Sequence, residues 1–333
     1  MRTYTAPALI LALCTGSGLT SCVEDGSQDE PIRRPLWGAD SSKFDIFFDD
    51  ERHDIFELQP HPLVTQIRET NGLLVRTSRF DLPADWEERS HVNLVADAQT
   101  LGDQHGLCEG ERFSDQPTVP GCTAFLVGPD LAVSAGHCMD DGSEYLMIFG
   151  YELAEASEDP MATFREFPTE NIVRVETFEF QRPVCDRDIA FLRLARPVEG
   201  IRPLPYEDTS LAAEDPMVIS GFPSGLPLKI SIAGRVTRTR ERHFEHTVDI
   251  LQGNSGSPVL GLDGQVKGVH VCSGLGHSDY EPGPEGTCNV AFSHHPSNED
   301  FEANEAYSLA GYEPYLDCLR ESDFEDCAAM RPE

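Results

Sequence analysis

From about Ala124 onward the chain alternates short apolar runs with turn residues. Ala124–Val127, Leu131–Ser134, Leu146–Phe149, Ile172–Glu176, Ile189–Leu194, Met217–Ser220, Ile230–Val236, Pro258–Leu260 and Val266–Val271 are rich in β-branched and large apolar side chains. No long helical period separates them, and many short strands at close spacing predict an all-β barrel or sandwich architecture. The pattern changes at both ends. Ala6 to Leu13 is a continuous apolar run preceded by Arg2, too short to span a bilayer but of the right length for the core of a secretory signal. Val23 to about Lys43 is polar and acidic, carries Pro31 and Pro35, and reads as a tether. From Glu281 to Glu333 the chain is acidic, with Arg320 and Arg331 as its bases, which predicts a solvated surface. Within that stretch Pro314 is placed to open a short closing helix through Leu319.

Composition adds two constraints. The 333 residues carry 25 Lys+Arg against 58 Asp+Glu, a formal charge of -33, and such a surface repels nucleic acid and anionic headgroups. A nucleic-acid-binding function is therefore not expected. At 39% hydrophobic residues the chain still has enough apolar side chains to build a core.

Leu19-Thr20-Ser21-Cys22 resembles the bacterial lipobox, in which an aliphatic residue and two small residues precede the cysteine that becomes lipid-modified. The resemblance implies a signal peptide over residues 1–21, a mature start at Cys22 with a lipid anchor, and a tether over 22–43. Val23 stands where retention signals place Asp, so the implied destination is the outer membrane of a bacterial cell envelope. The alternative is an ordinary signal peptide and a secreted protein. Setting Cys14 and Cys22 aside from the ten cysteines leaves eight, an even number that in an exported chain predicts disulfides. Local spacing suggests Cys122–Cys138, Cys272–Cys288 and Cys318–Cys327, and leaves Cys108 with Cys185. A metal site is not expected: there is no CxxC repeat and no HExxH, and neither His243 with His246 nor His294-His295 has a third ligand at metal-binding spacing.

Three stretches carry chemistry. In Cys122-Thr-Ala-Phe-Leu-Val-Gly-Pro-Asp-Leu-Ala-Val-Ser-Ala-Gly-His137-Cys138, two apolar strands joined by a Gly-Pro-Asp turn deliver an imidazole to a strand end. A Cys122–Cys138 crosslink there would contribute about 3 kcal/mol and fix the ring. In Asp186-Arg-Asp188-Ile-Ala-Phe-Leu-Arg-Leu, a carboxylate stands at the entrance of a buried strand, where a histidine ring nitrogen can satisfy it. Asp188 adjoins the apolar run, and Asp186 is its rival. In Gln252-Gly253-Asn254-Ser255-Gly256-Ser257-Pro258, glycines around a serine allow a tight turn that exposes a hydroxyl and aims N–H groups at one point. An α/β-hydrolase is excluded, because its elbow is GxSxG and its order is Ser, acid, His.

In the order His137, Asp188, Ser255 the chain resembles the chymotrypsin-like serine peptidases, and within them the bacterial branch that includes the glutamyl endopeptidases. That branch carries GNSGSPV and opens with a segment like Asp50-Glu51-Arg52-His53-Asp54-Ile55. The resemblance runs from about Asp50 to Val271, with an insertion-like region between Val75 and Cys108, and no motif is recognised after Val271. It implies two packed six-stranded β-barrels over residues 44–320, a first strand at Pro62–Arg68, and an acidic tail over 321–333. It also implies peptide-bond hydrolysis by a His137–Asp188–Ser255 triad, an oxyanion hole from the N–H groups of Gly253 and Ser255, and no metal or organic cofactor. Gly221–Pro227 reads as a loop between two strands of a barrel. Asn254 departs from the trypsin-like pattern, in which an Asp pairs with a newly cut N-terminus, so activation by such an ion pair is not expected.

For specificity two residues compete. Asp249, six residues before Ser255, has the spacing of the trypsin carboxylate that binds Arg or Lys. His270, in Gly268-Val269-His270-Val271, matches the histidine with which glutamyl endopeptidases bind acidic side chains, although their hydroxyl partner five residues before the serine is Ile250 here. Proteins or peptides are the expected partners, and the competing class is a noncatalytic binding protein on the same fold.

Overall fold

The computed structural model describes residues 50–80, 82–181, 187–206, 211–272, 279–291 and 303–332. The signal and tether readings, including Cys22, lie outside these residues, as do Asp186, Cys185 and His294-His295. Among the described residues no helix is long and apolar enough to cross a membrane.

Twelve strands form two closed antiparallel barrels. The first is built from β1 (Asn71–Arg76), β2 (Cys122–Leu126), β3 (Leu131–Ser134), β4 (Tyr145–Phe149), β5 (Ile172–Gln181) and β6 (Ile189–Leu194), in the ring order β1-β2-β3-β6-β5-β4. The second comprises β7 (Pro216–Gly221), β8 (Lys229–Thr239), β9 (His243–His246), β10 (Pro258–Gly261), β11 (Val266–Cys272) and β12 (Asn304–Ser308), in the ring order β7-β8-β9-β12-β11-β10. The two rings have the same connectivity, although no repeat is visible in the sequence. A short strand, Arg52–His53, adds to the outer edge of β8. The expected all-β fold of two six-stranded barrels is therefore observed.

Five strands of the first barrel, β1–β4 and β6, are buried on both faces, which explains why they read as continuous apolar runs rather than alternating ones, whereas β5 is half-exposed along most of its length. Leu74, Ala124, Leu126, Ala132, Met147, Ala190 and Leu192 belong to a cluster formed within the first barrel. Their neighbours Leu73, Phe125, Val133, Ile148 and Phe191 join a larger cluster that reaches the second barrel and the C-terminal helix.

The first strand is not Pro62–Arg68. That segment is helix α1 (Pro62–Thr70), with Pro in its first turn and the His61 ring accepting from the Leu63 N–H. Its buried Leu63, Val64 and Ile67 recur at helical spacing. The first strand is the segment that follows, Asn71–Arg76. The region between Val75 and Cys108 contributes no barrel strand beyond the end of β1; it holds short turns and α2 (Leu101–His105).

The acidic C-terminal stretch is also more than solvated surface. β12 closes the second barrel, burying Ala306 and Tyr307. Helix α3 (Glu313–Leu319), opened by Pro314 as expected, buries Tyr315, Leu316 and Leu319, and the Tyr315 ring packs edge-on against Phe191 at 5.1 Å. Residues 321–333 were expected as a tail, yet α4 (Phe324–Cys327) is tied back by Cys318–Cys327, and Arg331 pairs with Glu179 on β5.

Disulfides Cys122–Cys138 and Cys318–Cys327 pair as spacing suggested. Cys108 pairs with Cys288, which replaces both the expected Cys272–Cys288 and Cys108–Cys185 bonds. Its cause is a backbone bridge: the Cys108 N–H donates to Asn289 O (2.8 Å) and the Asn289 N–H to Gly106 O (2.9 Å), which sets Cys108 beside Cys288. Cys272 is itself disulfide-bonded, to another sulfur.

Candidate active site

His137 sits in the tight turn Gly136–Cys138 that follows β3. Gly136 is required there, because a Cβ would run into the carbonyl of Gln181 on β5. Asp188 stands immediately before β6, fully buried, and its carboxylate accepts twice from the same residue. Oδ1 takes the His137 backbone N–H and Oδ2 the ring Nδ1, both at 2.7 Å. The pair fixes ring position and tautomer together, leaving Nε2 as the ring's other nitrogen. The His137 side chain is 27% exposed, so the buried carboxylate presents a partly accessible imidazole to the cleft.

Ser255 lies on the loop between β9 and β10, and the first barrel holds that loop in place. The Thr123 N–H donates to Ser255 O (2.8 Å) and the Thr123 hydroxyl to Gly253 O (2.9 Å). From the other side, the Gly256 N–H donates to His270 O (2.8 Å). Gly253 and Gly256 have φ of +105° and +87°, and a Cβ at either would collide with a carbonyl, of Phe222 and Thr123 respectively. The Asn254 side chain is buried and accepts from the Ser257 hydroxyl (3.3 Å). Among the described residues, neither the Gly253 nor the Ser255 N–H has an acceptor.

His137, Ser255, Gly253 and Gln252 line one cleft of about 450 Å³, with the Cys122–Cys138 disulfide, Ser224, Gly225 and Asp279. Ser224 and Gly225 belong to the Gly221–Pro227 loop, which connects β7 and β8. The Ser255 and His137 side chains share this cleft without a hydrogen bond between them among the described residues, a looseness common before substrate binds. The two sulfurs of Cys122 and Cys138 lie near the His137 ring, but joined to each other they offer no thiolates to a metal.

The specificity candidates separate. Asp249 Oδ2 accepts the Glu51 N–H (3.0 Å), so its carboxylate is turned to the N-terminal segment; burial pushes its pKa up to about 6. Ile250 packs against the apolar cluster of the second barrel, with Met217, Val236 and Val248. His270 is buried, and its Nδ1 lies 3.2 Å from Nε2 of His246. His246 Nδ1 in turn accepts the Val248 N–H (3.3 Å). That bond puts the His246 proton on Nε2, from which it is donated to His270 Nδ1. His270 must then carry its own proton on Nε2. Burial holds both rings below the ordinary histidine range, His246 down to about 3. In the sequence His246 stands only as a metal ligand without a third partner; it gives no signal of the pair, because the contact spans 24 residues.

A further cluster was also missed. Lys229, buried at the start of β8, donates to Asp54 Oδ1 (2.5 Å), Gln116 Oε1 (2.8 Å) and Pro227 O (3.0 Å). The neighbouring Arg52 is buried on Asp50, through Nε to Oδ1 (2.8 Å) and Nη2 to Oδ2 (2.7 Å). These pairs clamp the Asp50–Glu57 segment to the second barrel, beside Asp249.

Two six-stranded barrels with these loops define the class: the fold is that of the chymotrypsin-like serine proteases. Residues 122–269 match the family model for the trypsin-like peptidase domain. No curated protein matches the sequence. Among solved structures, a Glu endopeptidase in complex with MPD is similar at 14% identity and a TM-score of 0.48, covering 83% of this chain and 100% of its own. The Rv3671c protease from M. tuberculosis, in its active form, is 14% identical with a TM-score of 0.44, covering 75% and 81%. Neuropsin, a serine protease expressed in the limbic system of mouse brain, is 14% identical with a TM-score of 0.41, covering 60% and 89%.

Proposed function

We propose that the chain is a serine endopeptidase in which Ser255 is the nucleophile, His137 the general base and acid, and Asp188 the residue that orients the imidazole. One observation carries this reading. A buried carboxylate holds Nδ1 of a cleft-facing imidazole, and the same cleft contains a serine on a loop whose Gly253 and Ser255 N–H groups lack acceptors among the described residues. His137 Nε2 takes the Ser255 proton as the oxygen attacks a peptide carbonyl, and returns it to the leaving amine. Asp188, already bound to Nδ1, stabilises the imidazolium formed in between. The two free N–H groups receive the oxyanion, a contribution of about 10²–10³ in rate for each donor. Water then releases the acyl group by the same steps in reverse.

Acidic residues before the scissile bond are the preference this reading favours. The Val248–His246–His270 chain leaves His270 with a donor at Nε2, as a carboxylate requires, whereas Asp249 is engaged by Glu51. Export and anchoring through a lipid on Cys22 complete the proposal; the supporting features are the Leu19–Cys22 sequence and the disulfides, which persist in oxidising compartments. Labelling with palmitate that is lost in Cys22→Ala tests the anchor.

The catalytic reading is tested by treating the full chain with a fluorophosphonate. A single adduct at Ser255, absent from Ser255→Ala and strongly reduced in His137→Ala, is expected. A chain that is folded by circular dichroism yet takes no label overturns the reading in favour of a binding protein on a peptidase fold. A peptide-library profile then reads the residue before the cleaved bond.

A further inference from the structure

The cleft does not end at the Cys122–Cys138 disulfide. Its lining includes Pro120 and Arg79, and both residues also line a second groove of about 360 Å³. That groove runs between the turn Thr77–Phe80, the segment Leu94–Ala98 and the strand end Thr118–Pro120. Its Leu94–Ala98 wall comes from the region between Val75 and Cys108, which contributes nothing to the barrel sheet beyond the end of β1.

The chemistry decides which part of a substrate reaches this groove. The leaving amine must depart on the side of the imidazole that protonates it. The disulfide joins the residue after His137 to Cys122, and the chain before Cys122, Gly121 and Pro120, lines the cleft together with Arg79. Charge then discriminates between substrates. Arg76, also on the cleft, is neutralised by an ion pair with Asp140. Arg79 is exposed and has no ion-pair partner among the described residues, so a full positive charge stands at the junction of cleft and groove in a chain of net charge -33. The carboxylates that share a lining with it are Asp279 in the cleft, which accepts the Gln252 N–H (2.9 Å), and Asp97 in the groove. Asp97 opposes a run of acids deeper in, so the attraction is local to Arg79.

Building on the peptidase reading, we infer that this groove binds the part of the polypeptide that follows the scissile bond, and that Arg79 selects an acidic side chain there. Arg79 is thus a specificity-determining residue for the leaving-group side, separate from His270 on the acyl side.

The test uses the full chain and quenched-fluorescent peptides that share the best-cleaved acyl-side sequence and differ by Glu, Gln or Lys at the second or third residue after the bond. A nitroanilide with no residues after the bond serves as the reference rate. Relative to that reference, kcat/KM should follow Glu above Gln above Lys, with Glu over Lys by about 5- to 10-fold at low salt, shrinking as salt screens the pair. Arg79→Gln should flatten the series and Arg79→Glu invert it. A wild-type series without charge preference, or one unchanged in Arg79→Glu, overturns the inference while fluorophosphonate labelling of Ser255 keeps the peptidase reading intact. A folded chain without Ser255 labelling removes both.

Discussion

Nε2 of His246 lies 3.2 Å from Nδ1 of His270, with both rings buried in the second barrel and facing each other edge to face. Neither ring can accept a proton without placing a charge in a buried site. Unfolding releases both to an ordinary pKa near 6.5. Between about pH 3 and 6.5 the unfolded chain therefore binds protons that the folded chain refuses, and stability rises with pH through that window. The contribution is complete above pH 6.5 and lost as the solution is acidified. His246→Gln, whose side-chain amide can still donate to His270, should remove a share on the order of 3 kcal/mol from the pH dependence, read as the difference in urea midpoint energies between pH 4 and pH 7. An unchanged slope would show that the pair titrates like solvent-exposed histidine.

Asp249 acts in the opposite direction. With a folded pKa near 6 against an ordinary 3.8, it holds a proton in the folded chain that the unfolded chain has already released. Stability from this group falls as pH rises from about 4 to 6, and the penalty persists above that. Asn can accept the same Glu51 N–H without a charge. Asp249→Asn should therefore gain about 1–3 kcal/mol at pH 7.5 and nothing at pH 4. Equal midpoints at both pH values would place the Asp249 carboxylate in solvent.

Asp188→Asn is the sharpest test of the proposed triad. The amide can keep an oxygen on the His137 backbone N–H, so the turn survives. Its NH2 group, however, would face Nδ1 and favour the wrong tautomer at Nε2. A loss of about 10⁴ in kcat with a nearly unchanged thermal midpoint is expected. Loss of activity together with collapse of the fold would mean that Asp188 is purely structural.

How much of this was legible in the sequence depended on burial and on distance along the chain. Leu131–Ser134 and Ile189–Leu194 could be bounded to the residue, because both are apolar runs buried on both faces. Asn71–Arg76 was missed because Asn71-Gly72 looks like a turn, while Leu63-Val64 and Ile67 just before it look like a strand; helical spacing and the His61 cap decide otherwise. His243–His246 and Asn304–Ser308 close the second barrel with polar-looking sequences, whose hydrophobic payload is little more than Phe244, Ala306 and Tyr307. Local motifs singled out His137, Asp188 and Ser255; the structure pairs the first two and sets Ser255 in the same cleft as His137. The uses of His246 and Asp249 were not legible, since their partners come from 24 and 198 residues away.

The Cys108–Cys288 bond gives a direct check on the corrected pairing. It joins positions 180 residues apart, and closing so long a loop removes more unfolded-state entropy than the Cys122–Cys138 bond does. Cys108→Ser should expose a free thiol that peptide mapping assigns to Cys288, with a stability loss of about 2–5 kcal/mol. A free thiol at Cys272 instead would restore the pairing that spacing suggested.

Lys229 poses a different question, because a buried ion pair is often neutral in net stability while a broken one is not. Its ammonium is held by Asp54, Gln116 and a carbonyl, and its charge also faces the Phe113 ring at 4.7 Å. Burial still lowers its pKa to about 8 against the pull of Asp54, so the site binds the cation less well than water would. Lys229→Met removes the cation and leaves the Asp54 carboxylate buried on the Gln116 amide alone among its side-chain partners. That stranded charge should cost about 3–5 kcal/mol. Adding Asp54→Asn removes the stranded charge while keeping an acceptor for Gln116, and should recover a large part of the loss. If the double variant is as unstable as the single, the destabilisation comes from lost packing of the lysine stem. Because this cluster clamps Asp50–Glu57 beside Asp249, the single variant should also loosen the Glu51–Asp249 bond, seen as faster amide exchange at Glu51 than in the double variant.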